Sequence, residues 1–274
     1  MNAPPPTGAF VSQAHKPAPG TRRQAGRPRV RRLLLGVIGL LALVGLWWIG
    51  TDVLAAPGSF VRRFSPMPAF ASLADLLVQS DLLIHVAVSL KRILVGLAFA
   101  LAIGVPVGMA VGTFGALEAA TTPAFQFLRM ISPLSWMPIA VMVFGVGDSP
   151  IYFLLTFAAV WPILLSTAAG VRQLDPRFTQ LARSLAATRW EMLSRVIFPG
   201  IIGHILTGVR LAIGILWIVL VPCEMLGVSA GLGYFVLDTR DRLAYSELMA
   251  TVLLIGVLGF LLDGLARALC RRWS

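Results

Sequence analysis

The residues that could do covalent chemistry in this chain do not assemble into a catalytic set. The three histidines, His15, His85 and His204, are scattered, and the two cysteines, Cys223 and Cys270, stand in or beside apolar stretches without zinc spacing. Gly227-Val228-Ser229-Ala230-Gly231 spells the G-x-S-x-G of a nucleophile elbow. That elbow needs a strand before it and a histidine after it. Here a helix-length apolar run precedes it and no histidine follows, so it reads as a glycine-rich turn. The only lysines are Lys16 and Lys91, so there is no phosphate-binding G-x4-G-K-[ST] and no P-loop for ATP hydrolysis. H-E-x-x-H is absent, and no apolar run carries paired carboxylates. We expect no catalytic residue, no metal ligands and no cofactor, and the chain does not read as an enzyme by itself. The chemistry left to it is electrostatic. Gln126, Arg129, Trp161 and Glu224 interrupt apolar runs, and a polar, arginine-studded island extends from Asp175 to Gly200.

The elements that must carry these residues are membrane spans. The chain has 274 residues, of which 57% are hydrophobic and 13% charged, and its mean hydropathy is +0.84. That is far more apolar surface than a soluble core needs. The net charge of +11 does not read as a nucleic-acid interface, because the arginines cluster at span ends and in the N-terminal tail. The lipid bilayer is the expected surroundings, with cytoplasmic arginines following the positive-inside rule.

In order, residues 1–32 form a basic tail rich in Pro, Gly and Arg, expected to be disordered and cytoplasmic. Residues 33–50 are the first span, closed by Trp47-Trp48 at the interface. Residues 51–81 are an external segment in which Phe70, Leu73, Leu76 and Leu77 recur at helical spacing, as in a surface helix. Residues 82–268 hold five more spans, with Lys91 and Arg92 near an outer end and a stripe of Gly104, Gly108 and Gly112 that lets another helix approach closely. The third span, 116–144, is punctuated by Glu118, Pro123, Gln126, Arg129, Pro133 and Pro138. Lipid would not tolerate that pattern, whereas a central cavity would. Residues 229–245 read as an external loop, and 269–274 as a cytoplasmic tail. Three basic clusters, the N-terminal tail, the island and the C-terminal arginines, then agree on one topology with both termini cytoplasmic.

Within the island, Asp175 is an N-cap with Pro176 behind it, and a short helix should run to about Leu185. Ala186-Ala187 permits a turn. Thr188 to Glu191 has capping-box spacing and should start a second short helix, which Pro199 cannot continue in register. This island resembles the coupling loop of ABC importer permeases, patterned E-A-A-x3-G-x9-I-x-L-P. The pattern falls on Gln180, Leu181, Ala182, Ala186, Val196, Phe198 and Pro199, and only Ala182 and Pro199 keep the letters. The flanks strengthen the likeness. Ala182-Arg183-Ser184-Leu185, Ala187-Thr188-Arg189-Trp190, Leu206 to Ala212, Trp161-Pro162-Ile163-Leu164 and Glu224-Met225-Leu226-Gly227 closely resemble the nitrate/sulfonate/taurine branch.

The resemblance implies an all-α membrane protein of the type I ABC importer permease architecture, with six transmembrane helices and a cytoplasmic coupling-helix loop at 175–200. It implies a homodimer with a second copy of the chain, two cytoplasmic ATPase subunits, and a periplasmic or extracellular solute-binding protein in an inner-membrane assembly. Gln180, Ala182, Arg183, Ala186, Arg189, Trp190, Glu191 and Pro199 would then couple to the ATPase. Gln126, Arg129, Trp161 and Glu224 are candidates for the translocation path. For Arg129 the competing readings are a structural salt bridge and an interfacial position. For Glu224 they are a gate, a hydrogen bond between copies, and a simple outer-end position. The implied cargo is a small anion such as nitrate, an alkanesulfonate or taurine, with a vitamin precursor as the alternative on the same machinery. A self-sufficient secondary transporter is the reading from another class. It would call for internal repeats and several intramembrane acids, and the only deep acid candidates are Glu118, Glu224 and Asp263.

Overall fold

The computed structural model describes residues 29–56, 58–78 and 81–273, so most of the expected tail at 1–32 lies outside the described residues. Every regular element among them is helical. α1 (Arg29–Trp48) runs into a π-helical turn, Ile49–Val53. A 3-10 turn, Phe60–Phe64, leads to α2 (Pro66–Val78), and then come α3 (Asp81–Thr113), α4 (Gly115–Met130), α5 (Met137–Phe144) and α6 (Asp148–Gln173). The island supplies α7 (Pro176–Ser184) and α8 (Arg189–Glu191). α9 (Phe198–Glu224), α10 (Leu232–Asp241) and α11 (Tyr245–Trp273) complete the chain. Five helical runs are long and apolar enough to cross a membrane: Leu34–Val53, Leu82–Thr113, Asp148–Gln173, Arg189–Glu224 and Tyr245–Ala268. A sixth crossing is the pair Gly115–Met130 and Pro133–Phe144, bent by 85°.

Helix packing shows that the bent pair is a crossing. A Cβ added to Gly96, Gly104, Gly108 or Gly112 of α3 would meet Leu155, Ile163, Thr167 and Val171 of α6 in turn. The numbers rise together, so α3 and α6 run parallel, and the chain between them must return over the full thickness. The glycine stripe is what permits this contact, because at Gly108 the added atom would lie 2.6 Å from the Leu164 carbonyl oxygen. α9 runs antiparallel to α6, since Gly208 meets Ile163 and Gly170 meets His204. α11 runs antiparallel to α9, with Gly259 against Trp217 and Arg210 beside Asp263. One end of the bundle therefore carries α7, α8, Glu118 and Arg267. The other carries Arg92, Asp148, Glu224 and α10. The main core lies where α3, α6 and α9 meet, around Leu154, Leu155, Ile163, Leu216 and Leu220. α2 sets Leu73 and Leu76 against a second cluster, Leu82, Leu232, Phe235 and Leu254.

The structure departs from the sequence reading at three places. The third span is not one helix. Ile131 and Ser132 turn extended, with ψ of 125° and 128°, because Pro133 follows and disfavours the helical region for the residue before it. The stretch 229–245 is not all loop: Leu232–Asp241 forms α10 and returns Leu232 and Phe235 to the core. Pro199 does not end a short helix. A π-helical turn, Met192–Ile197, precedes it and α9 starts at Phe198, so α8 feeds straight into the span. Proline at the first turn of a helix gives up only an N–H that would have been orphaned.

Candidate coupling elbow and translocation path

The elbow is built from caps. Asp175 accepts a hydrogen bond from the Arg177 N–H at 2.9 Å and starts α7. α7 ends when the Ala187 N–H donates to the Ala182 carbonyl and the Ala186 N–H to the Arg183 carbonyl, each at 3.0 Å. That is a Schellman closure, which places one residue in the left-handed region. The residue is Ala186, at φ 55°. It stands where the coupling-loop pattern has glycine, and the geometry explains that preference. Thr188 then caps α8 in a complete capping box: the Glu191 N–H donates to Thr188 Oγ1 at 3.3 Å and the Thr188 N–H to Glu191 Oε2 at 3.0 Å. These bonds, the backbone one first, hold the Glu191 carboxyl below its ordinary range.

Ala182 is buried against the turn, whereas Gln180, Arg183, Ala186, Arg189 and Pro199 are exposed. So are four large apolar side chains: Phe178, Leu181, Leu185 and Trp190, the last 73% exposed. Phe178, Leu181 and Leu185 line one apolar depression with Arg195 at its side, and exposed apolar surface of this kind beside arginines is a mark of a protein docking site. The sequence reading singled out the arginines and Trp190 and missed the apolar row of Phe178, Leu181 and Leu185, although their i, i+3, i+7 spacing was the available signal.

The path candidates separate. Gln126 and Arg129 sit on the last turn of α4, both exposed, just before the break. Arg129 has no ion-pair partner among the described residues; Glu118 pairs instead with Arg172 at the elbow end. A cavity of about 350 Å³ is lined by Arg129, Phe157, Trp161, Ser166, Leu211 and Ile215, so Arg129 and Trp161 share one space. It sits halfway along the spans, since Trp161 is central in α6 and Leu211 in α9. Trp161 is only 9% exposed, and its indole N–H has no partner.

Glu224 is elsewhere, at the far end, and 1% exposed. Arg92, expected at an interface, is also buried at 3% and holds the cluster together. Its Nη1 donates to Glu224 Oε1 and to the Ala230 carbonyl, both at 2.7 Å, and its Nη2 to Asp148 Oδ1 at 2.5 Å. Ser89 Oγ lies 2.8 Å from both Glu224 oxygens and accepts from the Leu232 N–H at 2.9 Å. The Gly233 N–H donates to Glu224 Oε2 at 3.0 Å, and the Gly231 N–H to His85 Nδ1 at 3.0 Å. The guanidinium thus ties α3 to α6, α9 and the turn after α9, while Ser89 and Glu224 hold the start of α10. Sequence reasoning missed Ser89, Arg92 and Asp148. The available signal was the Ser89-x-x-Arg92 spacing, which puts both polar groups on one face of an apolar helix.

Comparison with known proteins agrees with this architecture. Residues 101–274 match the family described as "Binding-protein-dependent transport system inner membrane component". The bicarbonate transport system permease protein CmpB of Synechococcus elongatus is 34% identical over 92% of this chain and 96% of its own length. The taurine transport system permease protein TauC of Escherichia coli K12 is 33% identical over 89% and 90%. Among solved structures, an inward-facing form of the MetNI methionine ABC transporter superposes with a TM-score of 0.59 at 17% identity, covering 73% of this chain and 96% of that one. That match shows the fold. With its six crossings, its capped elbow and these relatives, the chain belongs to the inner-membrane permease family of binding-protein-dependent ABC importers, in the nitrate/sulfonate/taurine branch.

Proposed function

We propose that two copies of this chain form the membrane channel of an ATP-driven importer for a small oxyanion, with an external binding protein at the far end and two ATPase subunits at the elbow end. The carrying observation is the elbow. Two short capped helices feed directly into α9 and present Phe178, Leu181, Leu185 and Trp190 to a space outside the spans. Closure of the ATPases would push on this surface, and α9 would pass the push to the bundle. The bicarbonate and taurine cargoes in the relatives' names support an oxyanion here; bicarbonate was not among the cargoes expected from the sequence. The basic clusters of the sequence support a cytoplasmic elbow end.

The test is Ala186→Asp in the chain expressed with its neighbouring ATPase and binding protein. Aspartate tolerates the left-handed conformation at this position, so the turn survives. A carboxylate trapped unpaired against a docked groove costs about 3–5 kcal/mol. The expected result is a membrane-inserted chain that no longer co-purifies ATPase. Normal co-purification and uptake would remove the elbow from the docking surface.

A further inference from the structure

We infer that the mid-span cavity beneath the α4 break is an oxyanion resting site, in which Arg129 supplies the charge and the Trp161 indole N–H a directed hydrogen bond. The inference rests on the importer reading above and goes beyond it by assigning the residues. Three observations carry it. First, the cavity's polar side chains, Arg129, Trp161 and Ser166, can all donate, and none of its lining residues is a carboxylate. With one fixed cation, two further donors and no carboxylate, the lining favours an anion over a cation. Second, the Trp161 N–H is buried and unsatisfied. A buried N–H without a partner is costly and calls for a reason; Trp136 carries another, and of the two tryptophans Trp161 is the one that lines this cavity. Third, Arg129 has no partner among the described residues, although other charged residues close both ends: Glu118 with Arg172 at the elbow end, and Arg92 with Asp148 and Glu224 at the far end.

Arg129 lies eleven residues beyond Glu118, about 16 Å along α4 at the helical rise. In a hydrocarbon layer about 30 Å thick that is close to the middle. An anion crossing there loses most of its hydration, and a fixed cation lowers that barrier. One guanidinium and one N–H bind weakly enough for release. Phe157, packed edge-on to Trp161 with ring centroids 5.5 Å apart, holds the indole in place. The sequence expectation that grouped Glu224 with Arg129 on the path divides here, since Glu224 belongs to the closed cluster at the far end.

The experiment measures uptake of labelled bicarbonate, nitrate and taurine by the reconstituted complex, together with ATPase activity stimulated by the binding protein. For whichever anion the unmodified complex takes up, Arg129→Gln is expected to lower uptake about tenfold or more, with Arg129→Lys recovering much of it, because the charge carries most of the effect. Trp161→Phe keeps an aromatic side chain but loses the pyrrole ring with its N–H, and is expected to lower uptake about three- to tenfold, the worth of one hydrogen bond to a charge. Stimulated ATPase activity should stay within about twofold in all three, since none alters the elbow. Normal uptake by Arg129→Gln overturns the inference. So does a parallel loss of ATPase activity, which would make Arg129 a coupling residue. If Arg129→Gln fails to assemble, Trp161→Phe decides: unchanged uptake overturns the inference, and selective loss supports it. Reconstitution in phosphatidylcholine alone separates cargo from lipid. A defect that vanishes without anionic lipid assigns Arg129 to a phosphate headgroup and overturns the proposal. Failure of the unmodified complex to bind ATPase or to import any of the three anions would instead sink the importer reading itself.

Discussion

Arg92 and Arg129 both fall in apolar spans; the sequence reading puts Arg92 near an outer end and takes Arg129 as the expensive residue in need of a reason. Arg92 is buried, touches two carboxylates and a carbonyl, and ties α3, α6 and α9 together at the far end of the bundle. Arg129 is exposed on the last turn of a broken helix and has no ion-pair partner among the described residues. The difference lies in their neighbours. Around Arg92 the donors are matched by acceptors, so the charge is spent on structure. Arg129 and Trp161 line a cavity with no carboxylate in its wall, so the charge is left without an acceptor of its own. A cation inside a span is therefore not a path residue by type, and its complement of acceptors decides.

The contrast can be broken most sharply at Glu224. Glu224→Ala leaves the buried guanidinium with Asp148 as its one carboxylate partner, and removing one partner of a buried pair costs about 3–5 kcal/mol. We expect loss of assembled complex, read as the yield of monodisperse protein, whereas Arg129→Gln should change thermal stability by less than about 0.5 kcal/mol, as unpartnered exposed positions do. Gly231→Ala comes next. Its Cβ would lie 2.5 Å from Glu224 Cδ and 2.6 Å from Arg92 Nη1, at a φ of 124°. Overpacking and backbone strain together should cost about 2–3 kcal/mol, seen as a lowered unfolding midpoint. Equal stability of this variant would mean that the cluster is looser than its distances imply.

A smaller effect of opposite sign is expected at the elbow. Ala186→Gly relieves a left-handed alanine and should stabilise the turn by about 1 kcal/mol. Slower hydrogen exchange at the Ala186 and Ala187 amides would register it. The smallest effect is the pH response of the Thr188–Glu191 box. Because the folded carboxyl titrates below its ordinary value, its contribution is complete above the ordinary glutamate range. It disappears as pH falls through the lowered value. Protection of the Thr188 amide should follow that course, and Glu191→Gln should flatten it.

Much of the architecture was legible because it rests on local or one-dimensional signals. Spans follow from apolar length, the two elbow caps from Asp175-Pro176 and Thr188-x-x-Glu191, and the close helix contact from glycines at every fourth residue. Each needs only neighbours within about a turn of helix. The amino-acid sequence by itself thus determined a multi-span helical protein with a capped polar elbow and no catalytic set. It could not say that Arg92 finds Glu224, because that pair is separated by 132 residues and meets only after α3, α6 and α9 have packed. Nor could it separate Glu224 from Arg129, since cost in a membrane depends on residue type while partnership depends on three-dimensional neighbours. The left-handed turn at Ala186 likewise appears only in the structure. Which arginine is closed into a cluster and which stays open to a cavity is a property of how the helices cross.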